Sequence, residues 1–83
     1  MIIKVFTKGG CPKCPPAKEL AEKLKEKGEQ VEMYNMDEPD GLAEASMYDV
    51  MSTPSIIVTD KQGDEEKAYR GEVPSLEDIL GGE

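Results

Sequence analysis

The first 28 residues combine a short apolar strand, a glycine turn and a one-sided helix, with both cysteines of the chain at the junction. Residues 2–6 are apolar except for Lys4, and Thr7-Lys8-Gly9-Gly10 ends this predicted strand. Gly28 is a typical residue to end the helix that follows. The apolar residues of that helix recur at i, i+3, i+4 and i+7: Ala17, Leu20, Ala21 and Leu24. A strand that leads directly into such a helix predicts the start of a β-α-β unit.

The rest of the chain completes an α/β pattern. Strands are predicted at residues 30–36, 55–59 and 65–70, and helices at residues 41–48 and from Ser75 onward. The last helix is indicated by Ser75 followed by Asp78, a variant capping box. The first crossover requires a parallel strand pair, and a hairpin turn at residues 61–64 requires an antiparallel pair. We therefore expect a single domain over residues 1–83 with the order β-α-β-α-β-β-α and a four-stranded mixed sheet.

The charge of the chain is acidic and unevenly distributed. The net charge is −8 at pH 7. Residues 1–28 hold seven lysines and three glutamates, whereas residues 29–83 hold three basic and fifteen acidic residues. Nucleic-acid binding is not expected, because phosphate contacts need clustered Lys and Arg. Both cysteines lie in the basic part, which favours a negatively charged sulfur.

The apolar runs of the sequence are short. The longest, at residues 1–3 and 56–58, fall far below the length of a membrane span, and the N-terminal residues do not resemble a signal peptide. We expect a cytoplasmic protein without membrane association, in a compartment where thiols are kept reduced.

Cys11-Pro12-Lys13-Cys14 lies where the first strand gives way to the first helix. The reactive form of a cysteine is the thiolate, and the unpaired N–H groups at a helix start stabilise negative charge. We expect Cys11 at the N-cap, with Pro12 at position N1, where a proline costs little. The helix end together with Lys8 and Lys13 should then lower the pKa of Cys11.

Cys14 is expected one helical turn further on, at position N3, with a less exposed sulfur. This predicts a division of roles in which Cys11 attacks a disulfide and Cys14 resolves the mixed disulfide. Pro15 and Pro16 then fall at N4 and N5, where each removes a hydrogen bond of the first turn, so a distorted first turn is predicted.

A proline also precedes the third predicted strand, and Thr53-Pro54 admits two interpretations. Pro54 is either an ordinary proline at a strand start or the second residue of a cis peptide bond that faces the cysteines. In the second case the backbone N–H and C=O of Thr53 point outward at an extended substrate.

Together these residues resemble the glutaredoxin-like branch of the thioredoxin superfamily over essentially the whole chain. The matching segments are the strand that ends at Thr7-Lys8, the Cys-Pro-X-Cys motif at residues 11–14, Ser52-Thr53-Pro54, and Gly71 after the last strand. The resemblance implies a thioredoxin-like fold, a cis Pro54 and thiol–disulfide exchange by Cys11 and Cys14. It implies substrate contacts by six residues: Lys8, Pro12, Lys13, Thr53, Pro54 and Gly71.

The resemblance also implies the partners of the protein. These are protein disulfides and a source of electrons, either glutathione or a flavoprotein of the thioredoxin reductase type. No metal and no tightly bound cofactor are expected, and we expect a monomer. Gly10 and Val5 replace the Trp and the buried Asp of thioredoxins. After Gly71, residues 72–75 replace the motif of glutathione-using glutaredoxins, so the amino end of glutathione would meet Ser75, Glu77 or Asp78.

Two alternatives use the same cysteines. Metal-binding modules such as copper chaperones also place CxxC between a strand and a helix, although they usually carry Met where this chain has Gly9 and end in a strand. A glutathione-bridged iron–sulfur dimer is the other alternative. The chain has no His and no third Cys, and a zinc or rubredoxin-type iron site needs four ligands. We interpret four methionines as core residues rather than metal ligands: Met33, Met36, Met47 and Met51.

Overall fold

The predicted order of strands and helices is confirmed. The computed structural model describes residues 1–80, and the last three residues of the domain predicted over 1–83 lie outside the described residues. The elements are β1 (Ile2–Thr7), α1 (Cys14–Glu26), β2 (Gln30–Asn35), α2 (Pro39–Met47), β3 (Ser55–Thr59), β4 (Glu65–Arg70) and α3 (Leu76–Leu80). In the described part of the chain, no helix is long and apolar enough to cross a membrane.

The four strands form one mixed sheet in the order β2-β1-β3-β4. Strand β1 pairs in parallel with β2 and antiparallel with β3, and β3 pairs antiparallel with β4. The parallel pair connected through α1 and the antiparallel hairpin of β3 and β4 are therefore both as predicted. The hairpin turn uses Gly63 at a φ of 90°, a value that glycine adopts without strain.

The helices cover both faces of the sheet. The apolar face of α1 and Ile79 of α3 pack with Ile3 and Val5 of β1 in one cluster. Ala45 of α2 packs with Phe6 and other residues on the opposite face. Because successive strand residues point to opposite faces, β1 supplies both clusters and is buried from residue 3 to residue 7.

Helix α1 begins at Cys14, two residues later than the predicted start at Pro12. Its N-cap is Lys13, so the predictions of Cys11 at the N-cap and Cys14 at N3 are wrong. Pro15 and Pro16 occupy the second and third helical positions instead of N4 and N5. N–H groups at these two positions have no partner within a helix, so the two prolines remove no hydrogen bond. The predicted distortion of the first turn is therefore no longer expected.

Helix α3 begins with the predicted capping box. The Ser75 hydroxyl accepts a hydrogen bond from the Asp78 N–H at 3.1 Å, and the Asp78 carboxylate accepts one from the Ser75 N–H at 3.0 Å. These two bonds satisfy donors that a helix start would otherwise leave unpaired.

A buried lysine connects β1, β2 and α2. Lys4 is 7% exposed, and its ammonium lies 2.6 Å from a Glu44 oxygen and 3.1 Å from a Glu32 oxygen. The Tyr34 hydroxyl donates to the same Glu32 oxygen at 2.7 Å, and the Lys4 ammonium lies 5.3 Å from the centre of the Tyr34 ring. We call these residues the Lys4 cluster: Lys4, Glu32, Tyr34 and Glu44.

The Lys4 cluster holds its charges in the ionised form. Burial by itself would lower the pKa of Lys4, but the hydrogen bonds to Glu44 and Glu32 outweigh it and raise that pKa above its ordinary range. The hydrogen bond from Tyr34, and then that from Lys4, lower the pKa of Glu32. The chain thus retains a buried charge by surrounding it with partners.

Replacing Lys4 with methionine should destabilise the fold in a pH-dependent way. Lys4→Met keeps most of the apolar stem but removes the partner of two carboxylates, so we expect a loss of about 1–3 kcal/mol in the free energy of unfolding at pH 7. Because the pKa of Glu32 is lowered in the folded state, its contribution is present above the ordinary value of 4.5 and is lost as the pH falls through the lowered pKa.

Urea unfolding of the wild-type protein and of Lys4→Met at several pH values measures this difference. Lys18→Met on the exposed side of α1 is the control, with an expected change within about 0.5 kcal/mol. A Lys4→Met loss that is absent at pH 7, or that stays constant well below pH 4.5, would contradict the account of the cluster.

Candidate functional site

Four chain segments meet at one end of the sheet. Thr7, the last residue of β1, lies opposite Asn35, the last residue of β2. Ser55, the first residue of β3, lies opposite Phe6 of β1 and opposite Arg70, the last residue of β4. The segments that follow β1, β2 and β4 and the segment that precedes β3 are therefore neighbours. All the predicted site residues fall on or directly beside these segments: Lys8, Cys11, Pro12, Lys13, Cys14, Thr53, Pro54 and Gly71.

The two cysteines are joined in a disulfide. Their Cα atoms are 5.4 Å apart, which is within the usual range for a bridge. Cys11 lies in the turn before α1 and is half-buried, whereas Cys14 is the first helical residue and is 2% exposed. Cys11 is therefore the more accessible of the two cysteines to a partner that approaches this end of the sheet.

The start of α1 offers fewer N–H donors to the Cys11 sulfur than the sequence suggested. The N–H of Cys14 donates to the Cys11 carbonyl at 3.4 Å, and Pro15 and Pro16 have no N–H. Cys11 lies outside the helix, in the turn that precedes the N-cap Lys13. The electrostatic support for a Cys11 thiolate therefore rests more on the helix dipole and on nearby positive charge than on hydrogen bonds.

Two lysines supply that positive charge. Lys8 and Lys13 are exposed and lie within three residues of Cys11 along the chain. Across residues 1–80, the ion pairs involve Lys4 and Arg70, and neither Lys8 nor Lys13 takes part in one. Both ammonium groups can therefore interact with an anionic sulfur or with a bound partner.

The loop that carries Lys8 is tied to the loop after β2. The Asp37 carboxylate accepts a hydrogen bond from the Gly9 N–H at 2.8 Å, and the Thr7 carbonyl accepts one from the Met36 N–H at 2.8 Å. A role for Asp37 at this end of the sheet was not predicted from the sequence. Its place directly after a strand parallel to β1 was the available indication, because the carboxyl ends of parallel strands lie side by side.

The peptide bond between Thr53 and Pro54 is cis, as the resemblance implied. Pro54 is fully buried and Thr53 is half-buried. Within the described residues, the backbone N–H and C=O of Thr53 make no hydrogen bond to the protein. These two groups are thus available to pair with an extended segment of another chain.

The methionines differ from their predicted placement. Met36 packs against the cluster between the sheet and α2, as expected. Met33, on the edge strand β2, is 39% exposed, so its interpretation as a core residue is wrong. Met47 and Met51 are 72% and 92% exposed, and their interpretation as core residues is wrong as well. The space between α2 and the sheet is already filled by aromatic and β-branched residues such as Phe6 and Ile57, which leaves both methionines on the surface. Met51 is two residues from Thr53 and adds an apolar side chain to this end of the sheet.

A family model and a curated relative both relate this chain to thioredoxins. Residues 1–81 match the family model described as "Thioredoxin domain". A "Probable Thioredoxin" of Archaeoglobus fulgidus is 31% identical over 62 residues, which cover 74% of this chain and 68% of that protein.

Solved structures support the fold. Thioredoxin 1 from Thermosipho africanus is similar with a TM-score of 0.77 and 20% identity, over 98% of this chain and 88% of that one. A thioredoxin-fold protein from Helicobacter pylori is similar with a TM-score of 0.73 and 24% identity, over 98% of this chain and 69% of that one.

The difference in exposure between the two cysteines predicts a difference in reactivity. In the reduced protein near neutral pH, iodoacetamide should alkylate Cys11 at least about tenfold faster than Cys14, because the sulfur of Cys14 is buried. Mass spectrometry of peptides from timed samples measures both rates. Equal rates at the two thiols would contradict this division.

Proposed function

The chain belongs to the thioredoxin domain family, and on that premise we propose that it is a thiol–disulfide oxidoreductase that reduces protein disulfides. The observation that carries the proposal is the pairing of a half-buried Cys11 with a buried Cys14 where four loops converge. A disulfide with one accessible sulfur suits a cycle of attack and resolution. The glutaredoxin-like character remains part of the proposal and rests on the Cys-Pro-X-Cys motif.

The reaction moves two electrons from the dithiol to the substrate. The Cys11 thiolate attacks one sulfur of the substrate disulfide, the S–S bond breaks, and the other substrate sulfur leaves as a thiolate. Cys14 then loses its proton and attacks the Cys11 sulfur of the mixed disulfide. The Cys11–Cys14 disulfide forms, and the second substrate sulfur is released. The substrate gains two electrons and two protons. A reductase must then supply two electrons to the Cys11–Cys14 disulfide to regenerate the dithiol.

Residues around the cysteines are proposed to hold the substrate. The free backbone groups of Thr53 pair with an extended polypeptide beside the scissile disulfide, in the manner of an added strand. Pro12 and Gly71 form the neighbouring surface, and the buried Pro54 orients the backbone of Thr53 toward it. Lys8 and Lys13 favour the thiolate and attract acidic groups of the substrate, because neither is paired with a carboxylate in the described residues.

We assign the supply of electrons to a flavoprotein reductase that uses NADPH rather than to glutathione. The Asp78 carboxylate, one of the groups that the amino end of glutathione would meet, already accepts a hydrogen bond from Ser75. Glu72 adds a negative charge directly after Gly71. This assignment fits a monomer acting in the cytoplasm, where disulfides are transient and catalytic.

A Cys14→Ser variant should trap its substrate. Without the resolving thiol, Cys11 stays joined to the substrate sulfur, so incubation of the reduced variant with insulin should give a mixed disulfide through Cys11. Mass spectrometry after acid quenching identifies the linkage. Cys11→Ser is the control and should form no such adduct. If Cys14→Ser instead gives no adduct and the wild-type protein binds Cu(I), the metal-binding alternative would replace this proposal.

The source of electrons can be tested separately. The oxidised protein is mixed either with glutathione and glutathione reductase or with a bacterial thioredoxin reductase, each with NADPH, and the loss of NADPH absorbance is followed. We expect the flavoprotein to reduce the Cys11–Cys14 disulfide at least about tenfold faster, because only that route involves direct attack by a reductase thiol pair. Faster reduction by glutathione would overturn the assignment and leave the disulfide reductase activity itself intact.

A further inference from the structure

A single buried hydroxyl joins two of the segments that border the cysteines. Ser55, the first residue of β3, is 0% exposed. Its hydroxyl donates a hydrogen bond to the Ser52 carbonyl at 2.7 Å and accepts one from the Gly71 N–H at 3.1 Å. One side chain thus holds the segment before β3 and the turn after β4.

The two segments are also in close contact with each other. Gly71 has a φ of 79°, and a Cβ atom at this residue would lie 3.1 Å from the Ser52 hydroxyl oxygen. The positive φ favours glycine here, and the missing side chain leaves room for the close approach of Ser52. The turn at Gly71 therefore lies directly beside the segment that leads into the cis peptide at Thr53–Pro54.

Loss of the Ser55 hydroxyl would release both segments at once. The Ser52 carbonyl and the Gly71 N–H would each lose the hydrogen bond that they make to the buried Ser55 hydroxyl. Both groups lie near the end of the sheet, where water is close. A small shift of each segment toward solvent would restore their hydrogen bonds and would change the surface that they present beside Cys11.

We propose that Ser55 is a positioning residue that sets the spacing between Thr53–Pro54 and Gly71 and thereby determines how well a polypeptide disulfide is bound. The proposal rests on the proposed function of the site. Ser55 is buried and so does not touch the substrate, and it acts only through the two segments that it holds. Binding of an extended chain should depend on this spacing, whereas attack by Cys11 on a small reagent should not.

Thr59 provides a matched control within the same strand. It is the last residue of β3, it is also 0% exposed, and its hydroxyl donates to the Asp60 carbonyl at 3.0 Å. Thr59→Val and Ser55→Ala each remove one buried hydroxyl from β3, but Thr59 lies at the end of the strand away from the cysteines. A general loss of stability would affect both variants.

The test compares a large substrate with a small one. Reduction of insulin with dithiothreitol as the electron source gives kcat and KM, and the rate of Cys11 alkylation by iodoacetamide reports the thiol alone. For Ser55→Ala we expect kcat/KM for insulin to fall by about fivefold to tenfold, mainly through a higher KM, with an alkylation rate within about twofold of wild type. For Thr59→Val we expect both quantities to match wild type.

Each other result has a definite meaning. Equal effects of Ser55→Ala and Thr59→Val on insulin reduction, or a parallel loss of alkylation rate in Ser55→Ala, would overturn the positioning role while leaving the proposed function in place. Failure of the wild-type protein to reduce insulin would overturn both.

A second pair of variants tests the hydroxyl with the shape of the side chain held constant. Ser55→Thr and Ser55→Val have the same shape and differ only in the hydroxyl. The threonine variant should keep the wild-type KM, and the valine variant should raise it. The same KM in both would overturn the positioning role.

Discussion

The pairing of β1 with both β2 and β3 is the constraint on which the rest of the structure depends. Because Thr7 lies opposite Asn35 and Phe6 lies opposite Ser55, the loop that carries Cys11 has the β2–α2 loop on one side and the Thr53–Pro54 segment on the other. A slip of one residue in this register would turn Lys4 toward α1 and remove it from its carboxylate partners. The Lys4 cluster therefore stabilises the register that also assembles the site.

The chemistry of the site follows from where α1 begins. The two prolines after Cys14 are compatible with the first helical turn, so the helix starts at Cys14 and buries its sulfur. Cys11 is left in the preceding turn with its sulfur accessible. The same prolines remove two N–H donors, which shifts the stabilisation of a Cys11 thiolate toward Lys8, Lys13 and the helix dipole. The two cysteines thus differ in how far each is buried, and this difference separates their roles.

Local patterns in the sequence were sufficient to predict much of the fold. The bounds of β3 and β4 and the capping box at Ser75 were predicted because they depend on neighbouring residues in the chain. The start of α1 was misplaced because helix chemistry at Cys11 was given more weight than the geometry of the prolines. The partners of Lys4 and Ser55 and the exposure of Met51 could not be predicted. They depend on contacts between residues up to 40 positions apart, or on which side chains fill the core first.

We infer that the Cys11–Cys14 bridge is a working redox couple and not a structural crosslink. Equilibration of the protein in dithiothreitol buffers of defined potential, followed by alkylation and mass spectrometry, measures its reduction potential directly. A redox carrier should interconvert reversibly between dithiol and disulfide, with a midpoint between about −120 and −270 mV. A midpoint below about −300 mV, the range of structural disulfides, would contradict the account.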